Sequence, residues 1–198
     1  MTLAQAALFL ALAAPPGSGR GPPPRPPAAA APADLSDADV RRRVRALLGA
    51  IDTPVREEDW RALGPRGPAV LAEVASDAAE WPSRRARAAW GLSVVGGPEA
   101  ERTLDRLGRS PAEPFSVRAA AVEGLGRLLP PERLLGALSA ALADPGEARV
   151  RAVAAEVLSR RAPKAACPAV RERIAREAPE ARPMFHRAEA ECGAPDRR

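Results

Sequence analysis

The chain has 198 residues, enough for one ordinary domain or one short array of repeats. It contains no tyrosine and three phenylalanines, and 29 of its 30 basic residues are arginine, a composition rich in alanine and leucine that favours helices over strands. The formal charge of +5 falls to +3 beyond residue 33, because Arg20 and Arg25 lie in a proline-rich stretch; such a mixed surface argues against a nucleic-acid binder.

Leu3 to Ala14 is an uncharged apolar run, too short for a membrane-spanning helix. Ala11-Leu12-Ala13 offers a small-x-small cleavage site, so residues 1–13 are expected to be a secretory signal peptide. No basic residue precedes the run, and a cytoplasmic protein with a non-functional apolar tail is the alternative. Residues 14–33 are proline, glycine and alanine almost throughout; they are expected to form a disordered linker, with a ligand for a proline-reading domain as the other reading. A repeat domain is expected over 34–192 and a tail over 193–198.

Ser36-Asp37-Ala38-Asp39 has the spacing of a helix start, and Val40, Val44, Leu47 and Leu48 follow at helical intervals up to Gly49. Thr53-Pro54 reads as the N-cap and first residue of a second helix running to Leu63. Further first helices are expected near 68–79, 98–109, 131–143 and 164–177. Second helices are expected near 83–95, 116–129, 148–161 and 181–191.

These elements share a period. Arg85, Arg118 and Arg151 are 33 residues apart, as are Leu92, Leu125 and Leu158, and Pro65, Pro98 and Pro131. Asp77-x-x-Glu80, Ser110-x-x-Glu113 and Asp144-x-x-Glu147 mark the turn inside each unit, where capping side chains satisfy exposed N–H groups. A fixed period of this length is the signature of stacked two-helix units that bury their apolar faces against one another. The expected fold is all-α, an α-solenoid of about five antiparallel helical pairs.

The two cysteines, Cys167 and Cys192, lie twelve residues before and thirteen after Pro179, at the turn of the last pair. Positions equidistant from the turn of a helical hairpin lie side by side, so a disulfide is expected, stabilising by roughly 3 kcal/mol and agreeing with export, with two small apolar residues of a reduced protein as the alternative. A zinc site would need ligands beyond these cysteines and His186, and no fourth is evident. His186 aligns with Ala120 and Val153, and is expected to be packed. No metal or cofactor is expected, and no motif for nucleophilic, metal or nucleotide chemistry occurs.

Trp60 aligns with Val122 and is expected in the core, whereas Trp81 falls in a turn. Trp90 aligns with Glu123 and Glu156, and Val94 with Arg127 and Arg160, positions where two units carry i,i+4 acid–base pairs on a wetted face. Trp90 is either a contact for a partner or packing against the irregular unit before it, and Arg87 is placed to stack on its ring.

An apolar first helix, a turn bearing Asp or Pro, and a second helix opening Val-Arg-x-x-Ala-x-x-x-Leu resemble the HEAT family, closest to the short bacterial repeats of phycobilin-lyase type. The resemblance covers 55–161 well and 164–191 weakly, where Met184 replaces the register arginine and Glu191 the leucine. It implies a ladder of turn acids and helix arginines between units, here Asp77 and Asp144 with Arg85, Arg118 and Arg151; Ser110 breaks the acidic side once. It also implies that the second helices line the concave side. The function expected is a non-catalytic binding module that holds another protein on Trp90, Val94, Arg87, Glu123, Arg127, Glu156 and Arg160. A HEAT-like enzyme, bilin-lyase-like or nucleic-acid-acting, and a structural spacer in an envelope assembly are the alternatives.

Overall fold

The computed structural model describes residues 35–50 and 53–193. The expected signal segment and linker, and residues 194–198 of the tail, lie outside them. Every regular element among the described residues is helical: α1 (Asp37–Gly49), α2 (Glu57–Arg61), α3 (Gly67–Ser76), α4 (Pro82–Val95), α5 (Pro98–Arg109), α6 (Phe115–Leu128), α7 (Pro131–Leu142), α8 (Ala148–Arg161), α9 (Pro163–Ala175) and α10 (His186–Gly193). None is long and apolar enough to cross a membrane.

Local chemistry sets the ends. The Ser36 hydroxyl accepts the Asp39 N–H at 3.2 Å and starts α1. Prolines open α4, α5, α7 and α9, where a missing N–H costs nothing. Gly96 and Gly97, with φ of 70° and 94°, break the chain between α4 and α5. Thr53 and Pro54 do not start α2. The Asp59 carboxylate takes the Arg56 N–H at 2.8 Å, so Arg56 is the cap, and three acids in the first turn favour a start at Glu57. The last second helix also begins late, because Arg182–Phe185 is a 3₁₀ turn ahead of α10.

From α3 onward each first helix packs on its own second helix, α3 on α4, α5 on α6, α7 on α8 and α9 on α10, whereas α1 packs on α3 and α4 and not chiefly on the short α2, so the expected first pair does not form as the others do. The second helices also pack in series, α4 on α6, α6 on α8 and α8 on α10, as do the first helices α3, α5, α7 and α9. The periodic positions fill these contacts. Leu92, Leu125 and Leu158 are buried, and so are Leu71, Leu104 and Leu138 on the first helices. Small residues let the second helices approach. A Cβ on Gly126 would lie 2.4 Å from Val157 Cγ1, and one on Gly91 would lie 2.7 Å from the Trp60 ring.

Gly126→Ala therefore opposes two effects. Alanine gains about 1 kcal/mol of helix propensity, but overpacking against a β-branched side chain held in one rotamer costs about 2–3 kcal/mol. A net loss of about 1–2 kcal/mol is expected in denaturant unfolding. At Gly136, in α7, a Cβ would meet nothing within 4 Å, and the same substitution should stabilise by about 1 kcal/mol. Equal effects at the two positions would contradict the close α6–α8 approach.

Candidate binding face

The second-helix row begins at a pair of tryptophans. Trp60 is fully buried, its ring lying over Gly91, where the missing Cβ leaves room for it. Its indole Nε1 has no hydrogen-bond partner. Trp90 is half-buried and meets Trp60 edge-to-face, with ring centroids 5.9 Å apart and planes at 69°. So Trp90 both packs on the irregular pair before it and keeps part of its ring in solvent.

The cation over Trp90 is Arg127, at 5.6 Å from the centroid, and not Arg87. Arg87 instead sends Nη1 to the carbonyls of Leu48 at 3.1 Å and Ala50 at 2.5 Å. The last carbonyls of α1 lack helical partners and carry the negative end of its dipole, which outcompetes a ring face. Arg127 does not bond Glu123, one turn away. It reaches Glu57 of α2 at 2.5 Å, and Glu57 also takes Arg61 at 2.5 Å. These two guanidiniums hold the Glu57 carboxyl below the ordinary glutamate range. Arg160 does meet Glu156, at 3.4 Å, and Arg187 of α10 approaches the same carboxylate at 3.5 Å.

Between these groups lies a cleft of about 450 Å³, lined by Arg61, Ser93, Val94, Glu123, Gly126, Arg127, Arg160 and Arg161. Arg161 crosses from α8 to donate to the Gly126 carbonyl at 2.9 Å. Glu123 presents much of its side chain to solvent, yet its carboxyl is set among the cleft walls. That desolvation, reinforced by the Glu156 carboxylate and opposed by Arg160, raises its pKa above the ordinary glutamate value.

Under this face runs a ladder of buried ion pairs. Arg85 bonds the Ala75 carbonyl of its own pair at 3.0 Å and Glu113 of the next turn at 2.5 Å. Arg118 bonds the Gly108 carbonyl at 3.4 Å and the Asp144 carboxylate of the next turn. Arg151 bonds the Asp144 carbonyl at 2.9 Å and grips Glu177 with two bonds of 2.6 Å. Arg85 and Arg118 thus satisfy a carbonyl in the last turn of their own first helix, Arg151 one in the turn just beyond α7, and all three take the acid of the following pair.

Glu113 and Glu177 escaped sequence reading. Glu113 stands three residues after Ser110 and supplies the acid that Ser110 lacks, and its place in the recurring x-x-Glu turn was the available signal. Asp77 is no rung: position 52, one period before Arg85, is an aspartate, and the Asp77 carboxylate turns onto the Ala79 N–H at 2.9 Å.

Cys167 of α9 and Cys192 of α10 are at disulfide distance, with Cα atoms 5.4 Å apart and both side chains buried. His186 is exposed, contrary to expectation, with Nδ1 3.0 Å from the Pro183 carbonyl. The 3₁₀ turn shifts the register by one, so Phe185 takes the buried position. Among the described residues no group of three or more His, Cys, Asp or Glu side chains is placed to hold a metal ion. Compared with family models, curated proteins and solved structures, the chain matches none.

Proposed function

We propose that the second-helix row of α4, α6 and α8 is the docking surface of a non-catalytic protein-binding module, and that the serial packing of its pairs is a HEAT-type α-solenoid. One observation carries this reading. Along the second helices the register positions 88, 121 and 154 are buried, whereas Val94, Glu123, Arg127 and Arg160 keep access to solvent in one cleft, with Trp90 under Arg127 and Glu156 beside Arg160. A half-buried tryptophan, anchored by a second ring and a guanidinium, is preorganised and loses little entropy on contact. The cysteine pair is compatible with an oxidising compartment, which supports reading the protein as exported.

A photoreactive amino acid at Val94 of the full chain, in cells expressing it, tests this reading. One defined protein adduct is expected from Val94 and none from Arg102, exposed on α5. Trp90→Ala should weaken the complex about 30-fold while helical circular dichroism is unchanged. Equal labelling at Val94 and Arg102 would reject this face.

A further inference from the structure

The cleft is unevenly charged. Arg61, Arg127, Arg160 and Arg161 line it against a single lining carboxylate, Glu123. The nearby acids do not restore balance. Glu57 is divided between Arg61 and Arg127, and Glu156 between Arg160 and Arg187, so five guanidiniums share three carboxylates. A guanidinium carries five N–H donors, and one shared carboxylate leaves most of them to water.

Arg127 and Arg160 are about half exposed, at 46% and 54% of their side-chain area, and stand on neighbouring helices at the same register position. Beside them are apolar surfaces, Val94 in the cleft wall and the Trp90 ring beneath Arg127. We infer that the cleft takes an acidic peptide segment of the partner, whose carboxylates bind Arg127 and Arg160 while its apolar side chains lie on Val94 and Trp90. The inference rests on the protein-binding reading above and names the chemistry of its ligand.

A nucleic-acid strand fits less well. Its evenly spaced phosphates would pass over Glu57, Glu123 and Glu156, whereas a peptide can set neutral residues there. Glu123 is the one lining group that opposes an incoming carboxylate. Removing its charge should therefore strengthen binding, a gain that a merely structural role for Glu123 would not produce.

Fluorescence anisotropy of the full chain tests this with three labelled probes: a soluble dodecapeptide of glutamate and leucine, the same peptide with glutamine for glutamate, and an oligothymidylate of equal charge. The acidic peptide should bind at least about tenfold tighter than its glutamine counterpart and weaken as salt is raised. Arg127→Gln and Arg160→Gln should each lose about tenfold, and Glu123→Gln should gain several-fold. Circular dichroism of each variant verifies folding, and Arg160, remote from the tryptophan pair, serves where Arg127→Gln disturbs packing. Equal binding of the two peptides, tighter binding of the oligothymidylate, or no gain for Glu123→Gln would overturn the inference. If the acidic peptide fails while Val94 still crosslinks one protein, only the acidic ligand is refuted; if that adduct is lost as well, the binding reading falls with it.

Discussion

Arg118→Ala is expected to cost about 3–5 kcal/mol of folding stability, read from urea unfolding of the full chain. The side chains of Arg118 and Asp144 are only 4% and 6% exposed, so water does little to screen the pair. Without the guanidinium, the Asp144 carboxylate keeps the Gly146 and Glu147 N–H groups at 3.0 and 2.7 Å but carries an uncompensated buried charge. Pairing Arg118→Met with Asp144→Asn removes both charges and keeps an oxygen for the turn, and should recover much of the loss.

The acid limb follows the same pair. Burial alone would raise the Asp144 pKa, but the Arg118 guanidinium and the Glu147 and Gly146 N–H groups outweigh it and hold it below the ordinary aspartate value. For Glu177, the Arg151 hydrogen bonds act first and outweigh burial, again lowering the pKa. A carboxyl whose folded pKa is depressed stabilises fully above its unfolded value, about 4, and that stability is lost as pH falls through the folded value. Wild-type stability should thus drop steeply below about pH 4, and Arg118→Ala should flatten that limb. A loss under about 1 kcal/mol with an unchanged acid limb would mean the pair is solvated.

The second large effect is expected at Cys167 and Cys192. Replacing both with alanine should lower stability by about 3 kcal/mol, because the bridge closes a loop across 25 residues of sequence and restrains the unfolded chain. Alanine avoids placing hydroxyls where both side chains are buried. Reductant should lower the melting temperature of the wild type and leave the double variant unaffected. Hydrogen exchange should quicken first in α9 and α10, where Arg171 also ties the hairpin by donating to the Cys192 carbonyl, while α4 and α6 stay protected. Insensitivity of the wild type to reductant would exclude the bridge.

Helix number, pairing from α3 onward and most boundaries were legible in the sequence because burial obeys helical geometry: Leu92, Leu125 and Leu158 can recur only if the same face is repeatedly covered. The destinations of long polar side chains were not legible. A guanidinium reaches across helices, so its partner depends on which carbonyl or acid the fold leaves unsatisfied nearby. Arg87 goes to the end of α1, and Arg127 to Glu57, 70 residues away, instead of Glu123 four residues away. The start of α2 and the exposure of His186 were misread because Asp59 and the 3₁₀ turn at Arg182–Phe185 shift local register by a few residues, which a 33-residue period cannot resolve.

The ion-pair ladder bears on how such a chain can lengthen. Each arginine looks forward to the acid of the following pair, so a 33-residue segment that begins at Arg85, Arg118 or Arg151 holds one donor of charge and its own acceptor. Copying such a segment inserts both together and strands neither; a copy cut short between the arginine and its acid buries a charge with no counterpart, at a cost comparable to the whole stability of a small domain. Tandem duplication in whole periods is thus the growth step that this arrangement tolerates.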